Sequence, residues 1–249
     1  MAQLKVCIIN LARCQDRREQ TLAALQQYVP QIELVFFQAV DAKAGEHLAF
    51  SSFFHKTLTL CYKGRELSAG EKACFASHYS LWRQCVALGE PILVLEDDLT
   101  FTQDFLEGVL DMGQRGYAYV RLAATHFKGK KYPLGGNYYL SFERNAGSQG
   151  YYITPEAAQK FLDRAGSWFC PLDDYLDLFY YHGVPAILRI PYLVGSAPDL
   201  PSTISPPTEQ RPPRRLKLLR KLCKSFRFTC KTLYVLRHKK RLLQELAGK

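Results

Sequence analysis

The segment Ile92-Leu93-Val94-Leu95-Glu96-Asp97-Asp98 joins four consecutive apolar residues to three consecutive acids. A short apolar run that follows the helix-breaking residues Gly89 and Pro91 is typical of a strand buried on both faces, as in a parallel sheet. Sheets of this kind bind ligands beyond the carboxyl ends of their strands. The segment therefore predicts an α/β fold with a functional site at residues 96–98.

The three acids favour a metal site. Three carboxylates at the end of a buried strand are costly to ionise together unless a cation lies between them. Mg²⁺ and Mn²⁺ take oxygen ligands and can bridge carboxylates to phosphates. The alternative is an ordinary polar strand end, since short acidic runs are common on loops.

The first forty residues predict a strand, a helix and a second strand, at about residues 4–10, 16–28 and 32–40. This order is typical of a parallel sheet. Asn10, Arg13 and Arg17 follow the first strand, where arginines can hold a phosphate or the edge of a nucleobase. A solvated basic start of the helix explains them equally well.

Further helices are predicted over residues 68–88, 101–112 and 172–181, and a Gly/Lys loop over residues 128–137. Ser68 and Glu71 have capping-box spacing at the start of the first of these helices. His78 lies on its apolar face, where a hydrogen-bonded core histidine is the common case. Asp173 and Asp174 lie at the start of the last helix. They are either helix caps that the helix dipole stabilises, or one of them is a general base.

The positive charge is concentrated at the end of the chain. The whole sequence has 33 Lys and Arg against 23 Asp and Glu, and residues 209–249 hold 14 of the former and two of the latter. We therefore predict a catalytic domain at residues 1–197, a Pro-rich linker or lid at 198–213, and a basic amphipathic helical tail at 214–249.

Such a tail is expected to lie on an anionic membrane surface. Two alternatives are that its apolar face packs on the catalytic domain, and that the protein is a basic-tailed binder of nucleic acid or another anionic surface.

Several classes of protein are disfavoured. None of the eight cysteines forms a Cys-x-x-Cys pair, which argues against a structural zinc site and is compatible with a reducing cytosol. The first strand is followed by neither a Gly-x-Gly-x-x-Gly motif nor a phosphate-binding P-loop, so dinucleotide oxidoreductases and P-loop ATPases lose their main support. The N-terminal apolar run is too short for a signal peptide, and no stretch approaches the roughly 20 apolar residues of a membrane span.

Several segments, in this order along the chain, together resemble the family 25 glycosyltransferases, which include bacterial lipooligosaccharide galactosyltransferases and collagen galactosyltransferases. The matching segments cover roughly residues 5–195 and are Ile8-Ile9-Asn10-Leu11 with Asp16-Arg17-Arg18, Leu67-Ser-Ala-Gly-Glu-Lys-Ala-Cys74, Ser77-His78 with Leu81-Trp82, Ile92 to Asp98, Gly147-Ser-Gln-Gly-Tyr-Tyr-Ile153 with Ala157-Ala158, and Pro171-Leu-Asp173.

The resemblance implies a single catalytic domain of the GT-A type, with a central, mostly parallel sheet flanked by helices. It also implies a UDP-sugar donor, Mn²⁺ or Mg²⁺ as cofactor, and inverting transfer. Glu96, Asp97 and Asp98 would then stand where such folds keep an Asp-x-Asp motif, with Asp98 and Glu96 at the metal and Glu96 also near the donor ribose.

The same resemblance places Asn10, Arg13 and Arg17 at the uridine pocket, His78 on the donor side, and Asp173 or Asp174 as the base. Asp199 and His182 are weak candidates for a further metal ligand. The expected protein is a peripheral enzyme on the cytoplasmic face of an inner membrane, with no nucleic-acid partner. It would transfer galactose from UDP-galactose, or alternatively glucose from UDP-glucose, to a glycolipid oligosaccharide such as lipooligosaccharide.

Overall fold

A computed structural model describes residues 3–124, 127, 129–197 and 214–249. These described residues contain ten strands: β1 (Leu4–Asn10), β2 (Ile32–Gln38), β3 (Ile92–Glu96), β4 (Leu99–Phe101), β5 (Tyr119–Arg121), β6 (Lys131–Gly135), β7 (Tyr138–Ser141), β8 (Gly150–Ile153), β9 (Ala186–Arg189) and β10 (Val194–Ser196). They also contain eight α-helices: α1 (Gln15–Leu25), α2 (Lys56–Tyr62), α3 (Ala69–Leu88), α4 (Phe105–Arg115), α5 (Pro155–Arg164), α6 (Leu172–Leu176), α7 (Phe179–His182) and α8 (Arg214–Leu246).

The central sheet has eight strands in the order β2-β1-β3-β8-β5-β9-β7-β6. All of these strands run in one direction except β7 and β8, so the sheet is mixed but mostly parallel. The strand β3 lies between β1, which is parallel to it, and β8, which is antiparallel. A second, two-stranded sheet pairs β4 with β10.

Helices cover both faces of the large sheet, and each face has its own apolar core. One core lies under α3, α5 and α6, and contains Trp82 and Trp168, both fully buried. The other includes residues of α1 and α4 and reaches α8. Residues 92–95 of β3 are completely buried, because strands flank them on both sides and helices lie above and below.

Much of the predicted order of elements is confirmed. The opening strand, helix and strand are present, and β1 and β2 pair in parallel. The capping box of α3 is also present, since the hydroxyl of Ser68 accepts from the N–H of Glu71 and the Glu71 carboxylate accepts from the N–H of Ser68. Residues 92–95 lie in a buried strand that ends at the acids.

Three predictions about elements were wrong. Phe101 ends the strand β4, and the helix starts only at Phe105. The predicted Gly/Lys loop contains β6, which pairs with β7 across a short turn. Finally, the helix predicted over residues 172–181 is two short helices, α6 and α7, because the chain leaves helical geometry between Asp177 and Leu178.

The C-terminal helix α8 packs against the rest of the protein along one side. Tyr234, Val235, Leu242 and Leu243 contact the second core, and the guanidinium of Arg227 lies 3.8 Å from the ring centre of Tyr62. The alternative in which the apolar face of the tail packs on the rest of the protein is therefore present. The predicted linker at residues 198–213, with Asp199, lies outside the described residues.

The opposite side of α8 is apolar and exposed. Leu218, Leu222, Phe226, Leu233 and Leu236 recur at steps of three, four or seven residues, and each is exposed. We call these five residues the outer stripe of α8. Within the part of the chain that the structure describes, no helix has the length and apolarity that crossing a bilayer requires.

Candidate active site

The acidic run emerges at the carboxyl end of β3, next to the end of β1. Parallel pairing sets Ile9 opposite Glu96, so Asn10 and the start of α1 lie beside the acids. This is the arrangement that the parallel opening of the chain predicts. The three acids, however, have different surroundings.

Asp97 is the centre of a buried hydrogen-bonded cluster. Its carboxylate accepts from the side-chain amide of Asn10 at 2.7 Å and from the guanidinium of Arg17 at 3.1 Å. Its backbone carbonyl accepts from the hydroxyl of Thr21 at 3.2 Å. Through these hydrogen bonds Asp97 links β3 to β1 and α1.

Glu96 and Asp98 have fewer hydrogen-bond and ion-pair partners than Asp97. Burial, and then the negative charge of Asp98, raise the pKa of Glu96 to about 7, although the hydroxyl of Ser148 donates to it at 2.5 Å. Burial also raises the pKa of Asp98, against the effect of Arg17 at 3.8 Å. Two carboxyl groups that burial and mutual repulsion hold toward their neutral forms fit a divalent cation, which would favour both carboxylates.

These groups face an open cleft of about 100 Å³. Most of the residues predicted to bind donor and metal line it together, namely Arg13, Arg17, His78, Glu96, Asp97 and Asp98. Asn10 lies directly behind this lining through its bond to Asp97. Arg13 also forms an ion pair with Asp41 at 3.1 Å, which anchors its side chain at the mouth of the cleft.

His78 is both a core histidine and a cleft residue. The hydroxyl of Tyr151 accepts from the indole N–H of Trp82 at 2.9 Å and lies 2.8 Å from Nδ1 of His78. The Tyr151 hydroxyl can then donate its own hydrogen to Nδ1 of His78. The neutral ring would in that case carry its hydrogen on Nε2, which lies 4.0 Å from Glu96. Burial, assisted by the charge of Arg121, lowers the pKa of His78 to about 3, so the ring is neutral.

Cys74 was not singled out from the sequence and is part of the same wall. It precedes His78 by one helical turn on α3, and Cys74, His78 and Glu96 offer ligand atoms that lie within 4.8 Å of one another. Burial raises the pKa of its thiol well above the usual range, and the charges of Glu96 and Asp173 add to the shift. The negative charge of Asp173 therefore acts on this side of the cleft, although Asp173 does not line it.

The two acids of α6 differ from each other. Asp174 is buried and pairs with Lys63 at 2.6 Å and with Arg144 at 2.9 Å. The side chain of Asp173 is 31% exposed and contacts Arg144 only at 3.4 Å. Neither acid caps α6 through its side chain, since the cap position is Pro171. Asp174 is thus fixed by ion pairs, whereas Asp173 keeps access to solvent near the cleft.

A buried network shapes the loop that carries Ser148, and no local sequence pattern predicts it. Arg121 is completely buried, donates to the carbonyls of Ala146 and Gly147, and lies 3.8 Å from Asp177. The carboxylate of Asp177 accepts from the N–H groups of Asn145 and Ala146. An arginine in a short strand and an acid next to a helix are commonly surface residues, so only the tertiary fold reveals their pairing.

His182, one of the weak candidates for a metal ligand, lies away from the acids. Its Nδ1 accepts from the N–H of Val184, and its Nε2 lies 3.2 Å from the carbonyl of Tyr175. Both nitrogens are therefore engaged with backbone groups in the core, where burial lowers the pKa of the ring to about 3.

Comparison with known proteins identifies the family of the chain. The model of the family described as "Glycosyltransferase family 25 (LPS biosynthesis protein)" matches residues 3–176, which include the whole cleft. Human procollagen galactosyltransferase 2 is 28% identical over 191 residues, which cover 71% of this chain and 30% of that protein.

Two further relatives match shorter stretches. The procollagen lysyl hydroxylase and glycosyltransferase of Acanthamoeba polyphaga mimivirus is 36% identical over 111 residues, covering 40% of this chain and 12% of its own length. Human inactive glycosyltransferase 25 family member 3 is 39% identical over 108 residues, covering 41% of this chain and 17% of its own length. The chain thus spans less than a third of the length of these relatives. The resemblance noted in the sequence is confirmed, and the chain belongs to glycosyltransferase family 25.

Proposed function

We propose that this protein is an inverting, metal-dependent glycosyltransferase of the GT-A type that transfers galactose from UDP-galactose to a glycan acceptor. Transfer of glucose from UDP-glucose is the alternative within the same reaction type. The main observation behind this proposal is that two carboxyl groups with raised pKa, Glu96 and Asp98, line one cleft with Arg13 and Arg17. Because the family includes a relative named inactive, the activity is argued from these residues.

The donor diphosphate would lie between the acids and the arginines. Glu96 and Asp98 would hold Mn²⁺ or Mg²⁺, which supplies positive charge for the departing diphosphate. Arg13 and Arg17 add fixed positive charge, and the neutral His78 offers an N–H donor without a competing charge. A nucleotide sugar is larger than the cleft, so only part of the donor would be enclosed.

Asp173 is the proposed base. It would take the proton of an acceptor hydroxyl as that oxygen bonds to the anomeric carbon and the bond from this carbon to the UDP oxygen breaks. Its partial exposure and its proximity to Cys74 support this role. Asp174, held by Lys63 and Arg144, would position α6 and the base.

For the setting of the reaction, we propose a lipooligosaccharide or related glycolipid acceptor at the cytoplasmic face of an inner membrane. The outer stripe of α8 supports this placement, because exposed apolar residues with lysines and arginines beside them suit an anionic lipid surface.

The test is thermal unfolding with UDP, with and without Mn²⁺, followed by assays of UDP release from UDP-galactose and UDP-glucose. At 100 times its dissociation constant a ligand of the folded state stabilises it by about 2.7 kcal/mol. We expect stabilisation by UDP that requires the metal, and faster transfer from UDP-galactose. The absence of any stabilisation, together with salt-dependent binding of DNA or RNA, would instead favour a nucleic-acid binder.

A further inference from the structure

A second cavity, of about 400 Å³, lies where α8 crosses the catalytic part of the chain. Its walls come from the end of α2, the residues after β7, the helices α6 and α7, and the inward side of α8. Asp174 lines it, so the cavity begins one residue from Asp173, the proposed base. A molecule bound there would reach the neighbourhood of the reacting hydroxyl.

The cavity carries an excess of positive charge. Five cationic side chains and three carboxylates line it. The carboxylates are all engaged: Asp174 with Lys63 at 2.6 Å, Glu143 with Lys231 at 2.6 Å, and Asp177 with the backbone of residues 145 and 146.

Arg220 and Arg227 supply the excess. Among the described residues, neither has a carboxylate within ion-pair distance. The guanidinium of Arg227 stacks on the ring of Tyr62, and its Nε is buried without a hydrogen-bond partner in the described part of the chain. The guanidinium of Arg220 lies against Gly64, a residue with φ of +81°, whose lack of a side chain leaves room for it.

The remaining walls are partly aromatic. The half-buried rings of Tyr62 and Tyr180 border the cavity beside the buried Phe142 and Phe179, and the ring faces that stay open can pack against the apolar face of a saccharide. Guanidinium groups offer paired N–H donors that match phosphate or carboxylate oxygens. Rings and unpaired arginines together fit a saccharide that carries a negative charge.

We propose that this cavity binds an anionic group, a phosphate or a carboxylate, on the saccharide acceptor, and that Arg220 and Arg227 recognise it. This inference rests on the proposed function, because it assigns the class of acceptor for the same reaction. It gives α8 a second role, since the helix completes the acceptor site with its inward side while its outer stripe faces away.

The test compares three probes, glucose, glucose 6-phosphate and inorganic phosphate, by calorimetric titration of the full chain. We expect glucose 6-phosphate to bind about tenfold or more tightly than glucose, as charge-assisted hydrogen bonds suggest. The double variant Arg220→Gln/Arg227→Gln should lose this preference. The matched control Lys221→Gln/Lys224→Gln removes the same charge from exposed positions of α8 and should retain it. Circular dichroism checks the fold, and the single variant Arg220→Gln replaces the double one if the latter unfolds.

Three results would overturn the proposal. Phosphate binding that survives the double variant but is lost in Arg13→Gln would locate the anion in the first cleft. Equal binding of glucose and glucose 6-phosphate would remove the charge requirement. Loss of binding to anionic lipid vesicles in the double variant, with glucose 6-phosphate binding unchanged, would make the cavity a lipid headgroup site. Binding of UDP with Mn²⁺ is measured on each variant, so that failure of the proposed function is recorded separately from failure of this site.

Discussion

At the scale of single residues, Asp97 and Asp98 are adjacent in the sequence and differ in their surroundings. Asp97 is satisfied by Asn10 and Arg17, whereas burial raises the pKa of Asp98. The sequence predicted an acidic site here, and the structure places most of the candidate donor-binding residues around one cleft beside it. The sequence could not show which of the three acids is hydrogen-bonded and which has a raised pKa, because this depends on partners that lie some 80 residues away in the chain.

Asp98→Asn should abolish transfer while the fold persists. The variant removes a proposed metal ligand, and a neutral amide replaces a carboxyl group that burial already disfavours as an anion. We expect the transfer rate to fall by about 10²-fold or more with a nearly unchanged melting temperature. Asp97→Asn is the matched control and should mainly lower stability, since it weakens the bonds of Asn10 and Arg17. Transfer by Asp98→Asn at the parent rate would disprove the metal assignment.

Asp173→Asn and Asp174→Asn should separate catalysis from stability. We expect Asp173→Asn to reduce turnover strongly with UDP affinity intact, as removal of a base does. Asp174→Asn leaves Lys63 without its carboxylate and Arg144 with Asp173 alone, and should cost about 1 to 2 kcal/mol, because both partners are partly exposed. Denaturant unfolding and steady-state kinetics on both variants measure the two effects. Full activity in Asp173→Asn would exclude it as the base.

His182 should make stability depend on pH. The folded ring stays neutral down to about pH 3, whereas an unfolded histidine binds a proton below about pH 6.5, so stability is lost as the pH falls through this window. Between pH 7.5 and pH 5.5 this one group accounts for about 1.4 kcal/mol. We measure the free energy of unfolding with urea at both pH values. Its fall on acidification should be smaller in His182→Gln than in the parent by that amount, and His238→Gln on α8 is the control. An equal loss in all three proteins would contradict the prediction.

At the scale of elements, local signals were sufficient where the interactions are local. The capping box of α3 was read directly from Ser68 and Glu71, and β3 from its apolar run. The strand β6 was missed because Lys131 and Gly135 resemble a loop, and its pairing with β7 is decided by the sheet. The break between α6 and α7 was missed for a similar reason, since Asp177 leaves the helix to bind the backbone of the loop at residues 145–146.

Ser68→Ala should destabilise the protein through α3. Removing the cap leaves the N–H of Glu71 without its acceptor, which typically costs about 1 kcal/mol. Because α3 carries Cys74 and His78 away from its first turn, we expect UDP affinity to be nearly unchanged. Ser52→Ala, at an exposed serine, should change stability by less than about 0.5 kcal/mol. Equal unfolding midpoints of the two variants would argue against the cap.

At the scale of the whole molecule, packing of α8 on the rest of the protein leaves room for the predicted contact with a membrane, which stays a prediction. Its inward side packs on the second core, and its outer stripe remains exposed. The sequence showed basic and apolar residues interleaved along the helix, but the contacted side is set by Tyr62 and by other residues far away in the chain. Removal of the whole tail would therefore disturb the fold, and point substitutions on the outer stripe are the better test.

The variant Leu222→Gln/Phe226→Gln/Leu236→Gln should lose binding to vesicles that contain anionic lipid. These side chains are exposed, so the melting temperature and UDP affinity should not change. In sedimentation with vesicles, the parent should pellet with anionic but not neutral lipid, and high salt should release it. The control Leu22→Gln/Leu48→Gln/Leu110→Gln changes three exposed leucines elsewhere and should pellet like the parent. Co-sedimentation of the α8 variant at the parent level would reject the membrane surface.

The antiparallel strand β8 has a consequence for how this protein can vary in length. Tyr151 and Ile153 point into one core and Tyr152 into the other, while β3 and β5 pair with the strand on both sides. Deletion or insertion of a single residue would exchange the two faces and remove the Tyr151 hydroxyl from His78. Natural variants that gain or lose codons are therefore expected in the surface turns, and the number of residues in β8 is expected to stay constant.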